Sequence, residues 1–171
     1  HNDSLAISSS NAQLGLVHTE LGNYGKGLEF LFSSLDTYQH YNDKYGIAQS
    51  HNNLASNYYE QENLTDALSH YKESLVLFEE LNNMQGIGEV TNNIGEVYLK
   101  QEETELAMSH FETAIELFEE IGHKKGIVTI FKNMAWVNYY DGELYKARRN
   151  CLHALRENIS MSDREGETEV L

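Results

Sequence analysis

An internal period of 40 residues governs this sequence. Gly46-Ile47, Gly86-Ile87 and Gly126-Ile127 stand 40 apart, and Gly166 keeps the phase. Leu14-Gly15, Leu54-Ala55, Ile94-Gly95 and Met134-Ala135 recur in the same register, as do Gly27, Ala67, Ala107 and Ala147. A fixed period of roughly 20 to 50 residues means stacked supersecondary units, each burying its apolar face on its neighbours, instead of one globular core.

The spacing within a period is helical. Leu54, Ala55 and Tyr58 fall on one face, and Leu64, Ala67, Tyr71, Leu75 and Phe78 on another, with Gln61-Glu62-Asn63 breaking the pattern between them. Each unit therefore reads as two amphipathic helices joined by a tight turn, and the absence of proline agrees with an all-α chain. The pattern predicts helices over 4–21, 24–41, 45–61, 64–81, 85–101, 104–121, 125–141, 144–160 and 163–171. One domain over 1–171 follows, with repeats at 4–43, 44–83, 84–123 and 124–162 and the start of a further helix at 163–171. The small residues at 15, 55, 95 and 135 and at 67, 107 and 147 let the two helices of a hairpin approach at the short end of the usual separation of about 8–10 Å.

These residues resemble the tetratricopeptide repeat. Its signature pairs Leu-Gly-x-x-Tyr on the first helix with Ala-x-x-x-Phe-x-x-Ala on the second, and stands nearly intact as Ile94-Gly95-x-x-Tyr98 and Ala107-x-x-x-Phe111-x-x-Ala114. It is close in Leu54-Ala55-x-x-Tyr58 with Ala67-x-x-x-Tyr71. The first and fourth units depart from it, with His18 and Asn138 where an aromatic is usual and Leu31 and Cys151 in place of Phe or Tyr. The terminal proline is missing, and the period of 40 exceeds the common 34. HEAT-type repeats share the period without this spacing. The resemblance is to the longer-helix variety, like the repeats of kinesin light chain, cell-polarity adaptors and bacterial peptide-sensing regulators. It implies a right-handed superhelical solenoid of about four hairpins, with the first helices lining a concave groove.

With His51, Leu54, Ala55 and Tyr58 assigned to the core, the remaining face of each first helix points into that groove. The candidate binding residues are then Asn52, Asn53 and Tyr59 in the second unit, Asn92, Asn93, Glu96, Leu99 and Lys100 in the third, and Lys132, Asn133, Trp136, Tyr139 and Tyr140 in the fourth. Asn53, Asn93 and Asn133, with Gln13 in the equivalent place, form a ladder of amides able to donate to and accept from the backbone of an extended peptide. Rungs about 10 Å apart, against roughly 3.3 Å per extended residue, serve about every third peptide residue. Amide bonds at about 0.5–1.5 kcal/mol each only begin to offset the cost of association, about 4–15 kcal/mol. Trp136, Tyr139, Tyr140, Leu99 and Tyr59 are the source of apolar burial. The same residues admit a structural reading, in which the asparagines bond neighbouring helices and Trp136 packs on a helix beginning near Asp163. The clamp in which lysines and arginines of chaperone-type members seize a terminal carboxylate does not fit, since Ala12 and Leu16, Asn52 and Ser56, and Lys132 and Trp136 occupy its places.

Composition excludes other classes. The 27 acidic and 12 basic residues give a net charge of -15, which rules against nucleic acid as a partner. Between Glu60 and Glu120 stand 15 acidic residues and two lysines, Lys72 and Lys100, a net of -13, which reads first as a solvated outer face and second as a dock for a basic segment. No apolar run reaches the roughly 18 residues of a membrane span. A single cysteine cannot form an internal disulfide, which suits a cytoplasmic protein. No signal peptide is visible, and a start at His1 without Met reads as a piece of a longer protein.

No catalytic motif emerges, and neither a metal nor a cofactor is expected. His70 and His110 lie one period apart, too far to share an ion whose ligands sit about 2 Å away. Glu120-x-x-His123 lacks the second copy that a di-iron site needs. Gly22, Gly25 and Gly27 around Lys26 spell no phosphate loop, and Cys151 holds the position where Leu31, Tyr71 and Phe111 fill the core. The expectation is a non-enzymatic module that binds a protein or peptide, the sensory or regulatory part of a larger signalling protein. A structural spacer or dimerisation arm is the alternative. Gly166 in phase implies a further unit, and an uncapped apolar face after the fourth repeat implies self-association there.

Overall fold

A computed structural model describes residues 2–168, with side chains over 3–161. Its described residues form helices and turns without a strand: α1 (Asn2–Glu20), α2 (Tyr24–His40), α3 (Lys44–Glu60), α4 (Leu64–Glu80), α5 (Met84–Lys100), α6 (Thr104–Glu120), α7 (Lys124–Tyr140) and α8 (Leu144–Thr168). The fold is all-α, a tandem of helical hairpins.

The same three-residue connection joins every successive pair of helices, and its chemistry explains why the helices stop in phase. Its middle residue is left-handed in each case: Gly22, Asn42, Glu62, Asn82, Glu102, Gly122 and Gly142. That conformation turns the next amide back on the helix just ended. Asn23 N–H donates to the His18 carbonyl at 2.8 Å and Gly22 N–H to Thr19 at 2.9 Å, a pairing repeated at every turn through Glu143 N–H to Asn138 at 2.7 Å. The third residue starts the next helix. Asp43 and Asn63 accept the amides of Gly46 and Asp66 through side-chain oxygens, and His123 accepts that of Gly126 through Nδ1. Glu120-x-x-His123 is thus a helix boundary, with the imidazole committed to a cap.

The chain divides into two compact units, one up to Asn83 and one from Met84. In the first, α1 pairs with α2 and α3 with α4, while α3 also packs on both α2 and α1. Leu31, Leu35 and Leu54 form its buried cluster, with Leu28 and Ile47 against them. In the second, α5 pairs with α6 and α7 with α8, and α7 packs on α6 and α5. Ala107, Phe111, Ala114, Phe118, Ile127, Ile130 and Val137 form its core. In each unit the first helices of successive hairpins are neighbours.

The periodic glycines mark close approaches. A Cβ on Gly126 would stand 2.3 Å from the Phe118 ring, and one on Gly95 would stand 2.7 Å from Phe111. Phe118 and Phe111 are buried, so the small residues make room for aromatic rings that anchor the hairpins.

Two expectations from sequence need correction. Residues 163–168 continue α8 and start no separate helix, while 169–171 lie outside the described residues. No turn signal like those of the seven connections interrupts 161–163. Cys151 is exposed and fills no core. The equivalent face of α2 is covered by α3, and that of α6 by α7, whereas no hairpin follows α8 among the described residues.

Candidate functional site

In the first unit the candidate residues lie on α3. Asn52, Asn53 and Tyr59 are all half-buried. The Asn53 amide makes no side-chain hydrogen bond among the described residues, which leaves its donor and acceptor pair for another molecule. Gln13, on α1, is exposed.

The second unit uses its amides differently. Asn133 Nδ2, on α7, donates to Asn92 Oδ1 at 2.9 Å and to Glu96 Oε1 at 2.7 Å, both on α5. Asn92 Nδ2 donates to the same Glu96 oxygen at 3.0 Å and to Asn93 Oδ1 at 3.3 Å. Both protons of each amide are therefore spent inside the unit. Asn92 is buried and ties α5 to α7. Asn133 keeps its Oδ1 as an acceptor without a described partner. Beside this network a recess of about 250 Å³ is lined by Glu89, Asn92, Asn93, Lys125 and Thr129, with Phe118 and His123. Leu99 is half-buried against the core, so little of it remains for a partner. Lys100 and Lys132 are exposed on α5 and α7.

Three aromatics close α7. Trp136 stands 57%, Tyr139 56% and Tyr140 68% exposed. Their rings touch one another, with centroids 6.0 Å apart for Trp136 and Tyr139, 6.3 Å for Trp136 and Tyr140, and 6.1 Å for Tyr139 and Tyr140. Asn133, Trp136 and Tyr140 share one face at helical spacing. The rings meet edge to face or tilted and remain open to water, a costly arrangement for so much apolar surface. The side chains of the segment beginning near Asp163 lie outside those described.

The model of the tetratricopeptide repeat family matches residues 5–80 and 86–156. The chain belongs to that family. No curated protein sequence matches it. Among solved structures, aspartyl phosphate phosphatase F from Bacillus subtilis is similar with a TM-score of 0.84 at 19% identity, over 93% of this chain and 42% of that one. A Rap protein complexed with competence and sporulation factor gives 0.81 at 18%, over 92% and 45%. A signal-transduction ATPase with a tetratricopeptide repeat sensor from Pyrococcus horikoshii gives 0.76 at 20%, over 97% and 26%. The chain spans less than half the length of each, and at these identities the likeness is one of fold.

Comparing the four tetratricopeptide repeats position by position exposes two features that sequence reasoning missed. The first is Asn57, fully buried where the other repeats carry Val17, Val97 and Val137. Its Nδ2 donates to Thr19 Oγ1 at 2.6 Å and to the Tyr24 carbonyl at 3.3 Å, and its Oδ1 accepts from Gln61 at 2.6 Å. A polar residue in an apolar register was the available signal.

The second is a cluster between α3 and α4. His51 Nδ1 lies 2.9 Å from His70 Nδ1 and 3.1 Å from Glu73 Oε2. Tyr58 stacks on the His70 ring at 5.4 Å, as Tyr98 does on His110 at 5.3 Å and His18 on Phe30 at 5.5 Å. Burial pushes the His51 pKa below its ordinary value, the Glu73 carboxylate pulls it back up, and His70 adds to the lowering. The histidine that meets His70 is 19 residues earlier, across the hairpin, and not His110 one period later.

Proposed function

We propose that this chain is a protein- or peptide-binding module that holds an extended segment along its first helices and serves as the sensory or regulatory part of a larger signalling protein. The observation that carries the reading is the exposed cluster of Trp136, Tyr139 and Tyr140 beside the Asn133 carbonyl on α7. Aromatic anchors of this kind supply the apolar burial, and Asn53 and Asn133 supply contacts to a peptide backbone. A solved relative bound to competence and sporulation factor supports the choice of class. Binding and positioning, with no reaction of its own, is the role assigned. No helix among the described residues is long and apolar enough to cross a membrane.

The test is selection from a random peptide library on the intact chain, followed by affinity measurement on variants. A selected peptide is expected to lose at least about 30-fold in affinity with Trp136→Ala, the size of a hot-spot loss. Asn53→Ala and Asn133→Ala are expected to cost about 2- to 13-fold each. Affinities unchanged in all three variants would overturn the proposal.

A spacer or dimerisation arm is the second reading, favoured by one observation: Leu152, Leu155 and Ile159 stand exposed at intervals of three and four residues along α8. Light scattering separates the two, since a concentration-dependent dimer lost with Leu155→Lys supports the arm and a monomer throughout removes it.

A further inference from the structure

We propose that His51, His70 and Glu73 form a site for one divalent transition-metal cation of the zinc class, held inside the hairpin of α3 and α4. Three potential ligand atoms converge there, all within 4.8 Å of one another. Zinc bound to nitrogen and oxygen at about 2.0–2.1 Å in tetrahedral geometry places its ligands about 3.3 Å apart. His51 Nδ1 already stands 2.9 Å from His70 Nδ1 and 3.1 Å from Glu73 Oε2. Two of the three separations thus lie within a few tenths of an ångström of a tetrahedral edge, the third, between His70 and Glu73, is closed by rotation of the exposed Glu73 side chain, and the fourth vertex opens to water beside it.

The local chemistry favours a cation over the hydrogen bonds alone. His51 Nδ1 faces a second imidazole nitrogen and a carboxylate oxygen at once. If it carries a proton, it has one N–H for two acceptors; if it does not, its lone pair confronts the carboxylate. A divalent ion satisfies all three atoms together. The ligands are also held in place: His51 is 8% exposed, His70 is braced by the parallel ring of Tyr58, and Glu73 follows His70 by three residues, so both reach from one face of α4. Nothing in the repeat architecture demands this set. The equivalent residues are Asn11, Phe30 and Ser33 in the first repeat, Thr91, His110 and Thr113 in the third, and Phe131, Asn150 and His153 in the fourth. The cluster is private to one hairpin.

The test uses the full chain freed of metal by chelation and titrated calorimetrically with zinc chloride. His51 is buried, so its variants confuse ligation with folding; His70→Gln and Glu73→Gln are the informative changes, and His110→Gln is the matched control one repeat away. The expected result is one equivalent of zinc, an affinity lowered by at least about 10-fold in His70→Gln and in Glu73→Gln, and no comparable change in His110→Gln. Cobalt(II) in place of zinc is expected to give the intense visible absorption of a four-coordinate ion, lost with His70→Gln. Absence of saturable binding, or binding that His70→Gln and Glu73→Gln leave intact, would overturn the proposal.

Discussion

Gly15→Ala and Gly25→Ala make a matched pair, because one chemical change meets two different surroundings in the same unit. Both glycines lie within helices, and exchanging Gly for Ala there gains up to about 1 kcal/mol of helix propensity. Around Gly25 no atom lies within 4 Å of the new Cβ. At Gly15 the Cβ would stand 2.6 Å from Leu31 Cγ, 2.7 Å from Leu31 Cδ2 and 3.1 Å from the Gly27 carbonyl oxygen. Carbon atoms in contact prefer about 3.5–4.0 Å, so α1 and α2 must part by nearly 1 Å. Leu31 is fully buried and cannot swing aside, and the carbonyl belongs to the main chain. Overpacking of this kind costs about 1–3 kcal/mol. Gly25→Ala is expected to stabilise by up to about 1 kcal/mol and Gly15→Ala to destabilise by about 0–2 kcal/mol, their difference of about 1–3 kcal/mol being the steric cost. Urea unfolding followed by far-ultraviolet circular dichroism reads this as midpoints separated by on the order of 1 M, for a slope of about 1–3 kcal/mol/M. Equal upward shifts in both variants would refute close helix contact through Gly15.

Glu102 occupies a left-handed turn position with φ 63° and no Cβ-free backbone to ease it, so Glu102→Gly is expected to raise the free energy of unfolding by about 0.5–1 kcal/mol, the relieved strain less the added chain entropy. Asn57→Ala removes a satisfied buried amide and leaves the Tyr24 carbonyl and Thr19 Oγ1 without its N–H, which is expected to cost about 1–3 kcal/mol in the same unfolding assay. Phe111→Ala empties a fully buried site and is expected to cost about 3–5 kcal/mol. In chelator, the His51 ring is expected to titrate below the ordinary 6.5 by nuclear magnetic resonance, since burial outweighs Glu73. The lowered value means the unfolded chain binds the proton first. The stability from this group is therefore complete above about 6.5 and is lost as pH falls from there through the folded value; a titration above 6.5 would reverse the sign.

The fold was legible because the restraints on it are local and repeated. Each turn carries a left-handed residue at the same position, and a small residue recurs once per period, set against a large one at Gly15 and Leu31 and at Gly95 and Phe111, so four copies reinforce one pattern. The candidate site was less legible because an amide's role depends on its neighbours across helices. Asn53 and Asn133 look identical in phase, yet Asn133 spends both protons on Asn92 and Glu96, while Asn53 has no such partner among the described residues. Asn92 appeared to face outward by periodicity and is buried by the approach of α7. Trp136 stands exposed on α7, whereas the same periodicity placed Cys151 in a core and Cys151 is exposed, with no hairpin packed on α8 among the described residues.

Trp136 is the only tryptophan, so its fluorescence reports the proposed binding surface without a label. A library-selected peptide titrated against the intact chain is expected to shift the emission to shorter wavelength as the exposed indole is covered, with a midpoint equal to the calorimetric dissociation constant. Saturable binding that leaves the Trp136 emission unmoved would contradict it.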